Sequence, residues 1–318
     1  MAPTPITLTD FALPGLKGLS RADARDVYTI GDKYLVTVET DRISAFDFPL
    51  PVAIPFKGQI LNQIATYFLK QTEDIAPSWF LSSPDPNVVI GYQCAPYRIE
   101  MVIHGFLVGH LWSQYEAGDR TLCGVTLPDG LKESDRLDLP LITATAHADH
   151  GHEGDISADE IVSEGMIPAE VYPRIEHLTR RLYERGSEIA KLNGLILVDA
   201  RYSFGTHDGD LCLVDEVHTP DCARYFFAGG YEVRQARGER QRELSTEFVR
   251  EWLITHGFQG SEGQSVPVIP AEFVESVSER YIELFERLTG RPFSRPSEAE
   301  DPLGRIESNT RKALEALL

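Results

Sequence analysis

The amino-acid sequence predicts an α+β fold with two lobes that each carry a β-hairpin, followed by C-terminal helices. β-branched and aromatic residues flank the turn signal Gly31-Asp32 and predict the first hairpin. Apolar runs on both sides of Asp208-Gly209 predict the second. Apolar residues at helical spacing form one stripe over 270–290, which predicts a late amphipathic helix.

The remaining elements follow from the spacing of apolar residues along the chain. A helix is predicted over 58–70, strands over 88–93 and 97–109, and a long helix over 168–193. Leu178, Leu182, Ile189 and Leu192 are expected on the buried side of the long helix, which Asn193-Gly194 ends. Ser245 is a candidate cap for the next helix. Residues 291–304 read as a polar linker, and residues 305–318 as a short helical tail.

These elements divide the chain into three expected parts. Residues 1–100 form a β-rich N-terminal lobe, and residues 101–293 form a second α+β lobe with the substrate pocket and C-terminal helices. Residues 294–318 form the linker and tail. A chain of 318 residues is long enough for two lobes or one large domain.

Composition excludes several classes of partner. A formal net charge of −19 disfavours nucleic acid and anionic membranes. No apolar run of about 18 residues is present, so no membrane span is expected. The cysteines Cys94, Cys123, Cys212 and Cys222 lack metal-binding spacing and indicate reduced thiols in a cytoplasmic protein. A homo-oligomer is left open.

The apolar run 211–214 ends on two adjacent carboxylates, Asp215 and Glu216. Such a strand end has two interpretations. The strand has simply reached water, or the carboxylates hold a cation or a developing charge at a functional site. Arg224 follows shortly afterwards, with Asp221 in the intervening turn.

Several motifs occur together in a recognisable order. They are ETDRISAFD, IPFKGQILNQI, RIEMVIHGFLVGHLWSQY, CGVTLPDGLKESD, LILVDARYSFG, VDEVHTPDCARYF, EFVREWL and RYIELFERLTG. Their order and spacing resemble the SAICAR synthetase family of purine biosynthesis, from about residue 15 to residue 293. The resemblance implies the α+β fold of that family.

The resemblance also implies a reaction. ATP phosphorylates an imidazole carboxylate, and the amine of aspartate then displaces the phosphate to form an amide. Such chemistry depends mainly on positioning and charge neutralisation. ATP and magnesium are therefore the expected co-reactants, and a phosphoribosyl nucleotide is the expected substrate.

The positions that match the family, together with His104 and His147, which depart from it, give candidate site residues in four roles. The catalytic candidates are His104, His147, Asp199 and Asp215, and Asp215 is also the magnesium candidate. The substrate-binding candidates are Arg42, Ser44, Glu100, His110, Arg201, Asp221 and Arg224. Arg25 and Lys57 are the candidates for binding the ATP cofactor. Arg224 in particular is expected to clamp the substrate phosphate, because a planar guanidinium suits that group.

Some positions depart from the family pattern. The family's Gly-Lys-Val-Arg-Asp loop over the ATP phosphates reads Ala22-Asp23-Ala24-Arg25-Asp26 here, and a metal-side glutamate is Ser203. Asp23 replaces an attraction for phosphate by a repulsion. These changes predict weak or absent ATP binding, unless Arg25 or Arg21 takes over from the missing lysine.

The histidines around His147, His150 and His152 have three interpretations. Their spacing is compatible with zinc, but a solvated polar loop is the simpler explanation and is favoured here. The third interpretation is acid–base work on a heterocycle, for which His104 and His147 stand where the family has cationic residues.

Together these observations predict an enzyme of this family that has been repurposed, as in pathways to pentostatin- or coformycin-type nucleoside antibiotics. An ATP-dependent SAICAR synthetase that joins aspartate to carboxyaminoimidazole ribonucleotide is the first alternative. A nucleotide-binding pseudoenzyme is the second.

Overall fold

The structure is a computed structural model that describes residues 4–46, 48–122, 124–146, 155–297 and 301–318. His147, His150 and His152 lie outside the described residues, so the interpretation of their loop stays a prediction. Within the described parts, every helix is too short or too polar to cross a lipid bilayer.

The described residues form strands and helices in a mixed order. The strands are β1 (Leu16–Arg21), β2 (Arg25–Ile30), β3 (Tyr34–Glu39), β4 (Arg42–Ala45), β5 (Phe48–Ala53), β6 (Phe80–Asp85), β7 (Val88–Tyr92), β8 (Ala95–Phe106), β9 (Thr121–Leu122), β10 (Val125–Thr126), β11 (Arg136–Ala146), β12 (Asp155–Ile156), β13 (Leu195–His207), β14 (Asp210–Val214), β15 (Ala223–Phe227) and β16 (Glu243–Leu244). The helices are α1 (Lys57–Gln71), α2 (Gly109–Glu116), α3 (Ala158–Ser163), α4 (Tyr172–Leu192), α5 (Tyr231–Arg237), α6 (Glu247–Thr255), α7 (Ala271–Thr289) and α8 (Pro302–Leu317).

A five-stranded antiparallel sheet is built from the N-terminal strands in the order β1-β2-β3-β7-β6. The first predicted hairpin is confirmed, with Ile30 paired to Tyr34 across the turn at Gly31-Asp32. In β2, intermediate and buried residues alternate, because successive side chains of a strand point to opposite faces. Tyr28 and Ile30 are fully buried on the covered face.

A larger antiparallel sheet has the order β12-β11-β8-β13-β15-β16, with β14 paired to β13. The second predicted hairpin is confirmed here, since β13 and β14 pair from Ser203–Val214 to His207–Asp210. Asp208 and Gly209 both have positive φ, 52° and 88°, as a tight turn between two strands requires. Helix α4 packs on this sheet, and Leu182 is fully buried against it.

The long helix differs from the prediction at its end. Leu192 was expected in the core, but it is 85% exposed because it is the last helical residue and lies next to the turn at Asn193. Ile175 and Tyr183, which the predicted stripe omitted, are buried instead. The structure confirms that the helix ends before Gly194, whose φ is +71°.

Two helix starts were predicted close to where they lie. The Ser245 hydroxyl accepts a hydrogen bond from the Glu247 backbone at 3.2 Å, although Thr246 is the capping residue by position. The tail helix begins earlier than predicted, at Pro302 instead of residue 305. Asp301 explains the shift: its carboxylate accepts from the Gly304 backbone, and proline at the first position is preorganised for a helix.

Helix α8 covers the N-terminal sheet. Its Ile306 and Leu314 are fully buried with Tyr28, Val36 and other residues of that sheet in one apolar cluster. Arg305 reaches Asp85, whose side chain is fully buried, with a 2.9 Å contact between Nε and Oδ2. A buried carboxylate needs such partners, because desolvation of an unpaired charge costs several kcal/mol.

Arg305→Ala should therefore lower the free energy of unfolding by about 3 kcal/mol, because it leaves Asp85 buried without its cation. Chemical denaturation followed by circular dichroism measures this. Lys17→Ala is the matched control, since its pair with Asp32 is exposed on both sides and should contribute less than about 1 kcal/mol. Equal losses in the two variants would contradict the assignment.

Candidate functional site

Two adjoining cavities contain most of the predicted site residues, one between the two sheets and one over the larger sheet. The first cavity, of about 780 Å³, lies between the start of β2 and the end of β14, and it is lined by Asp23, Arg25, Cys94, Asp215 and Glu216 among others. The second cavity, of about 580 Å³, lies over β8, β13 and β15. Its lining includes His104, His110, Arg201, Arg224 and Arg250.

Arg25 is the cation around which the first cavity is organised. Its guanidinium contacts Asp215, lies 2.9 Å from Glu216 Oε1, and lies 3.3 Å from Glu39 Oε1. Burial alone would lower the pKa of Arg25, but the three carboxylates outweigh it and raise the pKa well above its ordinary value. Arg25 is therefore charged at every physiological pH.

The carboxylates outnumber this cation. Burial raises the pKa of Glu216 to about 7, with Arg25 acting in the opposite direction. Burial also raises the pKa of Glu39, and its Oε2 atom has no hydrogen-bond partner. An oxygen-lined site with excess negative charge suits a divalent cation or a further proton.

The end of β14 is held in a specific conformation. Asp215 has a left-handed backbone with φ +67°, and its carbonyl accepts a 2.9 Å hydrogen bond from Trp79 Nε1. A left-handed non-glycine residue is energetically unfavourable, so surrounding contacts must hold it. Trp79 thereby directs the Asp215 carboxylate toward Arg25.

Arg224 and Asp199 form the central ion pair of the second cavity. Arg224 Nε lies 2.8 Å from Asp199 Oδ2 and 3.0 Å from Oδ1, and the two residues are directly paired across β15 and β13. Burial would raise the pKa of Asp199, but Arg224 overrides it and lowers the pKa below the usual value. The guanidinium also lies beneath Gly109, where a Cβ would approach Nη1 to 2.8 Å. Glycine at 109 thus leaves the guanidinium room at the N-terminal end of α2.

His104 stands opposite Asp199 on the neighbouring strand β8. Burial lowers the pKa of His104 to about 4, so its imidazole is neutral at pH 7. Nε2 lies 3.1 Å from the Thr143 hydroxyl. Nδ1 is buried without a hydrogen-bond partner, 3.8 Å from Asp199. The ring is therefore a neutral group with one open nitrogen, not a cation for a phosphate.

Asp221 borders both cavities, and it is the one described residue common to their linings. Its Oδ2 lies 2.5 Å from the ammonium of Lys57, whose side chain is 1% exposed. Its Oδ1 accepts a 2.9 Å hydrogen bond from the Tyr281 hydroxyl on α7. Helices α1 and α7 thus fix this carboxylate where the cavities meet.

The predicted site residues are divided between the two cavities. Ser44, Glu100, Arg25 and Asp215 line the first cavity, while His104, His110, Asp199, Arg201 and Arg224 line the second. Arg201 and Glu100 approach to 3.7 Å between the two. Arg42 lines neither cavity; its guanidinium donates to the Ala22 and Asp23 carbonyls and so supports the turn beneath the first cavity.

Sequence reasoning missed three residues of the site. Glu39 is predicted only as the end of a strand, and nothing in the neighbouring sequence indicates that it belongs to a functional site. Glu216 was noted beside Asp215 but was not assigned a role. Tyr281 fits the apolar stripe of its helix so well that it was counted as core. Only the fold brings its hydroxyl to Asp221.

Two adjoining polar cavities, one acidic around an arginine and one built on a paired arginine and aspartate, are typical of an α+β enzyme. The chain belongs to the SAICAR synthetase family, whose model matches residues 19–265.

Individual relatives agree with this assignment over nearly the whole chain. A phosphoribosylaminoimidazole-succinocarboxamide synthase from Cytophaga hutchinsonii is 54% identical over 306 residues, covering 96% of this chain and 98% of the relative. A synthase of the same name from Flavobacterium psychrophilum is 51% identical over 312 residues, with 98% of both chains covered. The SAICAR synthase of Saccharomyces cerevisiae, solved in complex with SAICAR, superposes with a TM-score of 0.77 at 27% identity. That comparison covers 91% of this chain and 99% of the yeast protein.

The family implies a magnesium ion, and the side chains of the first cavity show which residues could hold it. In the described residues, no group of three or more histidine, cysteine, aspartate or glutamate side chains is arranged to hold a metal ion by itself. Magnesium commonly uses only one or two protein carboxylates, with phosphate and water as the other ligands. Asp215 and Glu216, adjacent at the end of β14 on the wall of the first cavity, fit that pattern for an ion that arrives with a nucleotide.

Glu243 lies behind Arg224 in an adjoining cavity of about 480 Å³. Burial, with help from Glu247 and Glu251, raises the pKa of Glu243 to about 8 from an ordinary 4.5. The folded protein thus binds a proton between these pH values that the unfolded chain has lost. Burial of Glu243 therefore leaves the free energy of unfolding unaffected below about pH 4.5 and lowers it progressively as the pH rises toward 8.

Glu243→Gln should remove this dependence, since glutamine cannot ionise. We expect the variant to exceed the parent by at least about 1 kcal/mol in free energy of unfolding at pH 8, with little difference at pH 5. Urea denaturation at the two pH values measures it. Glu239→Gln, on the exposed part of the same cavity, should leave the free energy of unfolding unchanged at both pH values. A parent and variant with parallel pH profiles would refute the assignment.

Proposed function

We propose that this protein is an ATP-dependent SAICAR synthetase, which joins aspartate to carboxyaminoimidazole ribonucleotide. The relatives favour this activity, which the sequence analysis gave as an alternative, over the repurposed nucleoside-antibiotic enzyme given as its main interpretation. The observation that carries the proposal is the meeting of the two cavities at Asp221, because the reaction needs a nucleotide and an imidazole carboxylate in contact.

The second cavity suits the ribonucleotide. Arg224 and Arg201 supply the cationic donors for its phosphate, and Arg224 is held in orientation by Asp199. His110 and Ser113 on the first turns of α2 extend the same wall. The imidazole carboxylate then points toward Asp221 and Lys57, where the first cavity begins.

The first cavity suits the triphosphate. Arg25 is the cation that faces the phosphates, and Asp215 with Glu216 would hold the magnesium that accompanies them. When bound, that ion neutralises charge on the transferring phosphoryl group. Lys57 adds a buried positive charge where the two cavities meet. In this arrangement it lies near the carboxylate oxygen of the substrate, which accepts the phosphoryl group.

The amide-forming step follows at the same place. The carbon–nitrogen bond to the aspartate amine forms as the bond from carbon to the phosphate oxygen breaks, and phosphate leaves. The amine must lose protons as it bonds. Asp221, fixed by Lys57 and Tyr281, can accept a hydrogen bond from that amine and orient its lone pair.

One observation favours a second candidate function. Ala22 and Asp23 line the first cavity, and Arg25 is already paired with three carboxylates, so little positive charge is left for a triphosphate. A family member that binds a phosphoribosyl heterocycle without consuming ATP would tolerate this. His104, neutral and with an open Nδ1, would then be the group for proton transfer.

A coupled assay of ADP release decides between the two. Supplied with ATP, magnesium, aspartate and carboxyaminoimidazole ribonucleotide, the enzyme should form ADP and the succinocarboxamide in equal amounts. Asp215→Asn should reduce the rate by about 100-fold or more, because it removes a carboxylate from the phosphate side. No ADP release, combined with ribonucleotide binding that Arg224→Ala weakens by about 1.5–3 kcal/mol, would favour the second candidate.

Tyr281→Phe should lower kcat about tenfold with little change in the KM for ATP, because Asp221 loses one donor while the ring still fills its place. Tyr115→Phe is the control, since that hydroxyl bonds the Pro128 carbonyl away from both linings. Combined with Asp221→Asn, Tyr281→Phe should add almost nothing. Additive losses would show that Tyr281 does not act through Asp221.

A further inference from the structure

Two cysteines meet at the wall of the first cavity. Cys94, between β7 and β8, lines the cavity and is partly exposed, whereas Cys212 in β14 is buried. Their sulfur atoms lie 3.5 Å apart, with Cys212 donating to Cys94. The catalytic proposal above uses neither thiol.

Gly205 explains how the two thiols come so close. Gly205 in β13 is paired with Cys212 on one edge and with Pro96 on the other. A Cβ at Gly205 would lie 2.6 Å from the Ala95 carbonyl oxygen, so glycine alone permits this approach. The segment that carries Cys94 is thereby drawn onto β13, beside the strand that carries Cys212.

The two thiols differ in chemical character. The hydrogen bond from Cys212 lowers the pKa of Cys94 below its ordinary value, while the same contact raises the pKa of Cys212. The thiolate is the reactive form of cysteine, and reaction also needs access. Cys94 has both properties, whereas Cys212 is buried and has a raised pKa.

We propose that Cys94 is a modification site for low-molecular-weight disulfides of the glutathione type, and that Cys212 resolves the adduct into a Cys94–Cys212 disulfide. In the first step the Cys94 thiolate attacks one sulfur of the reagent and releases one thiolate. In the second step the Cys212 sulfur attacks Cys94 of the mixed disulfide, loses its proton and releases the second thiol. Two protein thiols are oxidised and one reagent disulfide is reduced to two thiols.

The geometry requires only a small local change. Sulfurs in a disulfide are about 2.0 Å apart, so the pair must approach by about 1.5 Å. The product ties the segment after β7 to β14, which ends at Asp215. Modification therefore acts on the wall of the first cavity, and by the proposed function this is the nucleotide wall.

The experiment treats the full-length protein, in a Cys123→Ser background, with glutathione disulfide and follows it by mass spectrometry after alkylation without reductant. We expect the loss of two alkylatable thiols, with a disulfide-linked pair of peptides containing Cys94 and Cys212. Cys94 should react at least about tenfold faster than the buried Cys222, which lies outside this pair. Equal labelling of Cys94 and Cys222 would overturn the proposal.

Two variants separate the roles of the thiols. Cys212→Ser should stop the reaction at a stable glutathione adduct on Cys94, because the resolving thiol is missing. Cys94→Ser should leave Cys212 unmodified. A persistent adduct on Cys94 in the parent protein, with no linked peptides, would overturn the resolving role of Cys212.

Protection by nucleotide tests the link to the proposed function separately. ATP with magnesium should slow the reaction of Cys94 about tenfold or more, because the ligand covers the thiol. If the disulfide forms but ATP gives no protection, the cysteine chemistry stands and the nucleotide assignment of the first cavity fails. If ATP is hydrolysed but the disulfide does not form, the reverse holds.

Discussion

The site depends on a single arginine that joins the two sheets. Arg25 belongs to β2 of the N-terminal sheet, and Asp215 and Glu216 follow β14 of the second sheet. All three residues line the first cavity, so the ion pairs between them form part of its wall. Because the cluster is mostly buried, its attraction is screened much less than that of a surface pair. Asp215 stays in its left-handed conformation because Trp79 and Arg25 both hold it.

The same cluster explains why the sequence alone pointed away from ATP. In the sequence, the missing lysine of the phosphate loop indicates a loss of positive charge, and Asp23 indicates repulsion of the ATP phosphates. The fold shows a cavity whose charge is set by groups far apart in the chain, including Glu39 and Lys57. A divalent ion can rebalance such a cavity, whereas a residue-by-residue comparison with a motif counts each change by itself. Close relatives across almost the full chain weigh against the earlier interpretation.

Local patterns predicted the hairpins and the main helices, and the resemblance to the family pointed to ten of the residues that line the two cavities. Turn residues such as Asp208-Gly209 and helix stops such as Gly194 act within a few residues, so they can be read without the fold. The contacts of Tyr281 with Asp221 and of Cys94 with Cys212 depend on long-range packing, since the partners are 60 and 118 positions apart in the sequence. The prediction that Leu192 is buried was wrong for a related reason. The spacing of apolar residues identifies one face of a helix, but it does not show where the residues that cover that face end.

Helix α8 has a consequence for how the chain is made. The N-terminal sheet shares its apolar cluster with Ile306 and Leu314, so this face is not fully shielded until residues 302–317 have left the ribosome. The sheet that carries Arg25 is synthesised first but completed last. During translation its uncovered face is a surface for aggregation or for chaperones. Deletion of α8 would thus act on a sheet formed some 200 residues or more earlier in the chain, which supplies one side of the first cavity.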